Sequence, residues 1–267
     1  MTSDHHHDHH HHDHEHSHDH HHHHGAGESI LVIRPNSGLS GDITVAGLLY
    51  FAGADELDQM LADLNLPQLI GRVALEPRLV SQIGGVGLRA DLPHEHEHRN
   101  LADIEDFFRL ADIKDGARAL ALKTFRLLAE AEGAVHGMPP EEVHFHEVGA
   151  LDSIMDIGLA AVLLDRLNPG RIVCGPLPIC DGVIRCQHGL INSPAPAVMR
   201  LMEGIPVVGL ASRGETITPT AVALLKGAGA EFGSWPAMVI ERQTLSFGTR
   251  ILEGVPNGAI FAFGRQS

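Results

Sequence analysis

The side chains with the clearest chemistry lie in one short run of the chain, residues 144–156. Five of them could bind a metal ion: His144, His146, Glu147, Asp152 and Asp156. In extended chain the two histidines point the same way, and on a helix the two aspartates share one face. Such a mixed set suits a divalent first-row metal, with the aspartates either binding the ion or orienting the imidazoles. The structural alternative is a helix cap at Asp152 and a hydrogen-bonded core histidine at His146.

A second histidine cluster occupies residues 94–98 and alternates imidazole with carboxylate. In an extended segment its three histidines share one edge, whereas the two glutamates face the other way. The predicted metal ligands here are His94, His96 and His98. A solvated loop would present the same residues without a metal, and the sequence leaves both interpretations open.

The N-terminal tail holds most of the 22 histidines, between residues 5 and 24, with acidic residues among them. No core can form from this composition, so we expect residues 1–27 to be a disordered metal-binding tail and residues 28–267 to form one domain. An expression tag is the alternative, although tags are usually uninterrupted histidine runs. Imidazole suits nickel, copper, zinc and cobalt, and many weak sites suit capture and delivery better than catalysis.

A loop rich in glycine and serine, residues 36–42, separates a short apolar run from a helical pattern. A strand, such a loop and a helix direct backbone N–H groups at an anion. The predicted phosphate contacts are Ser37, Gly38, Ser40 and Gly41. We predict a metal-binding or catalytic role for Asp42. The alternative is a tight turn with Asp42 in the first turn of the helix.

Strands and helices alternate along the chain, and they must position these residues. This order predicts an α/β domain with a mixed sheet flanked by helices. An apolar helix over 151–167 carries two of the aspartates, and the run 73–92 predicts a hairpin in which Gly84, Gly85 and Gly87 mark the turn or a bulge. The other predicted helices are 43–52, 54–64, 101–110, 116–136, 197–202 and 218–227. The other predicted strands are 30–33, 172–174, 182–186, 206–210, 238–243 and 258–263.

Composition narrows the classes of function. Apolar residues make up 43% of the chain, which is enough for a core, and the sequence lacks a run of about 18 apolar residues that would span a membrane. The N-terminus has no apolar signal core, so we expect a cytoplasmic protein. A formal charge of -15 without a basic stripe argues against nucleic-acid binding. We expect the three cysteines to be free thiols.

The chain resembles the N-terminal domain of the LarC family of nickel insertion proteins. The most specific block is residues 135–154, Val-His-Gly-Met-Pro-Pro-Glu-Glu-Val-His-Phe-His-Glu-Val-Gly-Ala-Leu-Asp-Ser-Ile. Shorter matches follow the family order at residues 37–42, 98–104, 128–132, 176–178, 188–189, 194–196, 218–220 and 248–250. Two positions depart from the family pattern: Arg34, where an acidic residue is usual, and Ile43, where methionine is usual.

The resemblance implies an activity. Members of this family use CTP, with Mg or Mn, to insert Ni(II) into pyridinium-3,5-bisthiocarboxylic acid mononucleotide, which creates a nickel–carbon bond in the nickel-pincer cofactor of lactate racemase. The histidines and Glu147 would then bind nickel. Asp42, Asp152 and Asp156 would act in catalysis, and the loop would bind the nucleotide together with Thr218 and Thr220. The family's CTP-binding C-terminal domain lies beyond the match, so we expect a separate partner or a frameshifted long form to supply it.

These observations lead to two main hypotheses. The first is a CTP-dependent nickel chelatase or cyclometallase of the lyase class, or the metal-binding component of one. The second is a nickel metallochaperone or storage protein without catalytic activity, and a metal-dependent hydrolase is a third. The expected partners are the precursor nucleotide and the C-terminal component, with a homo-oligomer left open. Neither nucleic acid nor a membrane is expected among them.

Overall fold

The structure, a computed structural model, describes Met1 and residues 27–93, 99–145, 150–186, 189–250, 252 and 254–267. Within them, the helices are α1 (Gly41–Ala52), α2 (Leu57–Asp63), α3 (Leu101–Leu110), α4 (Asp115–His136), α5 (Leu151–Leu167), α6 (Pro196–Leu201) and α7 (Pro219–Gly227). The first six strands are β1 (Ser29–Arg34), β2 (Val73–Val80), β3 (Ile83–Ala90), β4 (Arg99–Asn100), β5 (His144–Phe145) and β6 (Arg171–Cys174). The others are β7 (Leu177–Ile179), β8 (Gly182–Cys186), β9 (Gly189–Ser193), β10 (Val207–Gly209), β11 (Glu231–Phe232), β12 (Met238–Phe247) and β13 (Gly258–Gln266).

Seven strands form the central sheet in the order β11-β6-β1-β13-β12-β3-β2. β1 runs parallel to β6 and antiparallel to β13, and β12 runs antiparallel to β13 and parallel to β3. The predicted α/β domain with a mixed sheet flanked by helices is therefore confirmed. Three two-stranded ladders, β4–β5, β7–β10 and β8–β9, complete the strand pairing of the described residues.

β1 is buried on both faces, which accounts for its unbroken aliphatic sequence. Leu31 and Ile33 face the large core, to which α1, α4, α5 and α7 contribute, whereas Ile30 and Val32 join a smaller cluster on the other face. α1 lies close to the sheet because Gly47 has no side chain: a Cβ there would come within 2.6 Å of the Phe261 ring. This close packing fixes the start of α1, where the predicted site residues lie.

The long elements follow the sequence prediction, and one turn does not. α5 spans Leu151–Leu167 as predicted, and Asn100 caps α3 in a capping box with Asp103. The hairpin of β2 and β3 turns at Ser81 and Gln82, both with positive φ, and the two strands pair in continuous register, so the prediction of a glycine turn or bulge is wrong. The three glycines lie inside β3 instead.

The described helices include none with both the length and the apolar character needed to cross a bilayer.

Candidate functional site

A cavity of about 400 Å³ opens where three helices begin. Its lining includes residues from the first two turns of α1, α5 and α7, together with the loop that precedes α1 and the loop that follows β12. Its volume falls within the range of small-molecule sites. Each helix N-terminus also carries a partial positive charge, which attracts an anionic group unless an acidic residue in the first turn offsets it.

Backbone hydrogen bonds join the start of α1 to the start of α7. The N–H of Leu39 donates to the Thr216 carbonyl at 2.8 Å, and the N–H of Thr218 donates to the Leu39 carbonyl at 3.2 Å. Residues 177 and 179 positions apart in the sequence are thereby held side by side. Thr218 also caps α7, because its hydroxyl accepts a hydrogen bond from the N–H of Ala221.

One side of the cavity carries three carboxylates, Asp42, Asp152 and Asp156, which we call the acidic wall. Asp42 lies in the first turn of α1, and the other two lie one turn apart on α5. A Cβ on Gly41 would collide with the Asp156 carboxylate, so glycine is required for the two helices to approach this closely. The acidic wall is thus formed at the contact between α1 and α5.

The environment of the acidic wall raises the pKa of two of its carboxyl groups. Burial raises the pKa of Asp156 well above its ordinary value, and the charges of Asp42 and Asp152 raise it further. The cavity walls also desolvate Asp152 and raise its pKa, although the N–H of Ser153 donates to its carboxylate at 2.7 Å. Asp156 Oδ1 is buried, and no hydrogen-bond donor within the described residues reaches it. A bound cation would favour the ionised forms of Asp152 and Asp156 and would give the Asp156 Oδ1 atom a partner.

Another part of the lining, which we call the arginine wall, is made of hydroxyl groups and one ion pair: Thr216, Thr218, Thr220, Thr249, Arg250 and Glu215. Arg250 is the only basic residue among the described residues that line the cavity. Its Nη1 donates to Glu215 Oε2 at 2.8 Å, and 58% of the arginine side chain is exposed, against 16% of the glutamate. The buried Asn257 side chain donates to the Arg250 carbonyl at 2.7 Å and so holds this loop in place.

The cavity lining also has an apolar part. Leu88 and Ala90 of β3 contribute to it, together with Leu92 just after β3 and Met155 of α5. Such a surface can pack against the face of a ring. The cavity therefore offers anionic, cationic and apolar surfaces to a single ligand.

The predicted site residues fall into three groups. Ser40, Gly41, Asp42, Asp152, Asp156, Thr218 and Thr220 all line the cavity, so the fold brings the loop prediction and the α5 prediction together. The Ser37 hydroxyl instead donates to the Gly258 carbonyl at 3.0 Å, which leaves it no proton for a phosphate. Gly38 packs against Asn257. His144 lies exposed in β5.

The remaining predicted ligands lie outside the described residues: His94, His96, His98, His146, Glu147 and the tail residues 2–26. In the part of the chain that the structure does describe, no three His, Cys, Asp or Glu side chains are grouped as a ready metal site. The three carboxylates therefore line the cavity without forming a closed ligand cage. The metal-ligand predictions for the histidines outside the described residues stay predictions.

Sequence reasoning missed Arg250 as a site residue. It lies in the matched run 248–250, but no local pattern distinguishes it from a surface arginine. The cysteines behave as predicted, since all three are free. Cys174 is buried, and burial raises its pKa to about 12, so its thiol is neutral.

Comparison with known proteins adds an independent result. A family model described as nickel insertion protein matches residues 31–263. A protein of Syntrophotalea carbinolica named for nickel insertion is 39% identical over 230 residues, which is 86% of this chain and 58% of that protein. One from Rhodopirellula baltica is 39% identical over 83% of this chain and 56% of its own length.

A third relative carries a more specific name. The pyridinium-3,5-bisthiocarboxylic acid mononucleotide nickel insertion protein of Geobacillus kaustophilus is 34% identical over 89% of this chain and 60% of its own length. The chain thus spans less than two thirds of the relatives that it matches. No solved structure matches it.

Proposed function

The chain belongs to the nickel insertion protein family, and on that premise we propose that it takes part in inserting Ni(II) into a pyridinium mononucleotide within the cavity described above. The observation that carries this proposal is the buried Asp156 Oδ1, which lacks a hydrogen-bond donor among the described residues and has two further carboxylates nearby. A divalent cation would satisfy that oxygen and neutralise the charge around it. Nickel enters this scheme as a substrate.

We assign different tasks to the three carboxylates. Insertion that forms a nickel–carbon bond releases a proton from that carbon, so the reaction needs a proton acceptor. Asp152 is accessible from the cavity and its pKa is raised, which makes its carboxylate a stronger base than a free aspartate. Asp42 and Asp156 are the proposed oxygen ligands for the incoming ion, and the histidines of residues 94–98 and 144–146 are the proposed nitrogen ligands.

The proposed ligand fits the rest of the lining. A pyridinium ring can pack on Leu88, Leu92 and Met155, and its positive charge would face the acidic wall. We propose that CTP, with Mg or Mn, is used by a separate nucleotide-binding component. The length of the relatives beyond the matched region is compatible with such a domain.

The test is product formation by the purified chain. Precursor, Ni(II), CTP with Mg and the nucleotide-binding component are combined, and the nickel-containing product is detected by mass spectrometry. Product should form with the wild type and with Asp106→Asn, a control on the exposed face of α3, and should be lost with Asp156→Ala. Absence of product from the wild type, with every component shown to be active, would refute the enzyme function.

The second candidate function is nickel storage or delivery, and the observation that favours it is the histidine-rich tail. The two functions differ in which part of the chain is needed. Removal of residues 2–26 should leave product formation intact if the cavity performs the chemistry. If that truncation removes most of the bound nickel and the full chain forms no product, storage is the better description.

A further inference from the structure

We propose that Arg250, with Thr249 and the start of α7, forms the subsite that holds the phosphate of the mononucleotide. This inference deepens the proposed function and rests on it for the identity of the ligand. It replaces the expectation that the loop before α1 holds the phosphate, because that loop leads directly into Asp42 of the acidic wall and the Ser37 hydroxyl already donates to the Gly258 carbonyl.

The first argument is charge. A mononucleotide carries an anionic phosphate at one end, and three carboxylates would repel it. Arg250 is the basic residue that the described lining offers, and its ion pair is with Glu215 and not with the acidic wall. The pair occupies Nη1, whereas a guanidinium has five N–H donors in a fork that matches phosphate oxygens. More than half of the arginine side chain remains exposed to receive them.

The second argument is the difference between the three helix starts. α1 and α5 each place an aspartate in the first turn, which neutralises the positive end of the helix. α7 has no acidic residue in its first turn, and it begins with Thr218 and Pro219 at the cavity. No carboxylate in that turn offsets its positive end. Because the N–H of Ala221 already donates to Thr218 and Pro219 has no N–H, the nearby side-chain donors for an anion are the hydroxyls of Thr218 and Thr249.

The third argument is that the Arg250 loop is held in place. Asn257 is buried, and its side-chain amide donates to the Arg250 carbonyl. The N–H of Gly248 donates to the Asn257 carbonyl at 3.0 Å. A Cβ on Gly248 would lie 3.1 Å from the Ile43 side chain, so this loop packs directly on α1. The backbone that carries the guanidinium is thus fixed relative to both helices, as a binding residue requires.

The subsite gives the ligand a direction. With its phosphate at Arg250, the mononucleotide must extend its ring across the apolar lining toward the acidic wall. The Glu215 carboxylate then competes with the phosphate for the Arg250 guanidinium. The negative charge of Glu215 therefore lowers the affinity for the mononucleotide. A neutral residue at position 215 should therefore strengthen it.

The test measures binding of the full chain by isothermal titration calorimetry, without nickel and without CTP. The probes are nicotinic acid mononucleotide and nicotinic acid riboside, which differ only in the phosphate. The wild type should bind the mononucleotide about tenfold to a hundredfold more tightly than the riboside. Arg250→Gln should abolish that preference, and Arg250→Lys should retain part of it. Glu215→Gln should increase mononucleotide affinity about twofold to fivefold.

A matched control is Arg200→Gln on α6, because Arg200 is similarly exposed and forms an ion pair with Glu203 at 3.0 Å. It should keep the full preference, and circular dichroism checks that each variant is folded. The subsite is overturned if the wild type shows no preference for the phosphate, or if folded Arg250→Gln and Arg250→Lys retain all of it. If Glu215→Gln lowers the mononucleotide affinity or leaves it unchanged, Glu215 does not compete with the phosphate for Arg250.

These outcomes are separate from the fate of the proposed function. If the phosphate preference depends on Arg250 but no nickel product forms, the subsite stands and the insertion function fails. If product forms while the preference is absent, the insertion function stands and the subsite fails.

Discussion

The acidic wall and the arginine wall of the cavity are built from the same structural unit, the start of a helix, yet they favour opposite charges. At α1 and α5 the first turn carries an aspartate, and the packing of Gly41 against Asp156 places a third carboxylate nearby. At α7 the first turn is uncharged, and the nearby cation comes from Arg250, on the loop after β12. The comparison teaches that the charge carried by the first turn, and not the backbone, decides which ligand group a helix start attracts.

The two walls also differ in what they contribute to stability. The carboxylates of Asp152 and Asp156 have raised pKa values, so ionising them in the folded protein is unfavourable. The Arg250–Glu215 pair is largely exposed on the arginine side, and such pairs contribute little. The acidic wall is therefore kept at the expense of stability, as is common for functional groups.

Neutralising the acidic wall should have the largest effect on activity. Asp156→Asn is expected to reduce the rate of nickel insertion by about 100-fold or more, because it removes both a proposed ligand and its charge. The assay is initial-rate measurement of nickel product by mass spectrometry, with Asp106→Asn as the control. If Asp156→Asn inserts nickel at the wild-type rate, Asp156 has no role in the reaction.

Removing the cation from the arginine wall should have a smaller and different effect. Arg250→Gln is expected to raise the KM for the precursor about tenfold while kcat changes little, because the phosphate is bound equally in the ground and transition states. Full saturation curves with the precursor measure both constants. A fall in kcat at unchanged KM would mean that Arg250 acts on the reacting atoms.

Disturbing the contact that assembles the acidic wall should mainly affect stability. Gly41→Ala places a methyl group against the Asp156 carboxylate and should destabilise the protein by about 1–3 kcal/mol. Urea denaturation followed by circular dichroism measures this. The control is Gly209→Ala in β10, where a Cβ meets nothing within 4 Å. Equal stability of the two variants would contradict the close packing of α1 on α5.

The smallest predicted effect is a dependence of stability on pH. Because the folded-state pKa of Asp156 is raised, the folded protein keeps a proton that the unfolded chain releases above about pH 4. Stability should therefore fall as the pH rises from there through the raised pKa, and this contribution should be absent from Asp156→Asn. Thermal melting between pH 4 and pH 8 compares the two proteins. A wild-type profile identical to that of the variant would show that Asp156 titrates normally.

Much of the fold could be predicted because long elements carry their own signals. α5 has an apolar sequence with a clear stop at Asn168, and α3 has its cap at Asn100. Strands β4, β5 and β11 have only two residues each, too few to show a period. The role of Gly85 in β3 cannot be predicted because its cause is distant: this glycine makes room for the Leu245 carbonyl, which the local sequence does not reveal.

The site was predictable in its acidic half and not in its basic half. Asp152 and Asp156 are spaced by one helical turn, and that spacing can be read from the sequence. Arg250 becomes a site residue only because Asn257 holds its loop and because that loop packs on Ile43. The contact with Ile43 joins parts of the chain about 200 positions apart, and a single sequence carries no record of it.

The backbone of Leu39 has a consequence for the order of events. It donates to Thr216 and accepts from Thr218, and it precedes Asp42 by three residues. A displacement of the start of α7 must therefore either move the start of α1 with it or break these hydrogen bonds. If the two binding events are coupled through this link, thermodynamic linkage requires precursor and nickel to change each other's affinity by the same factor.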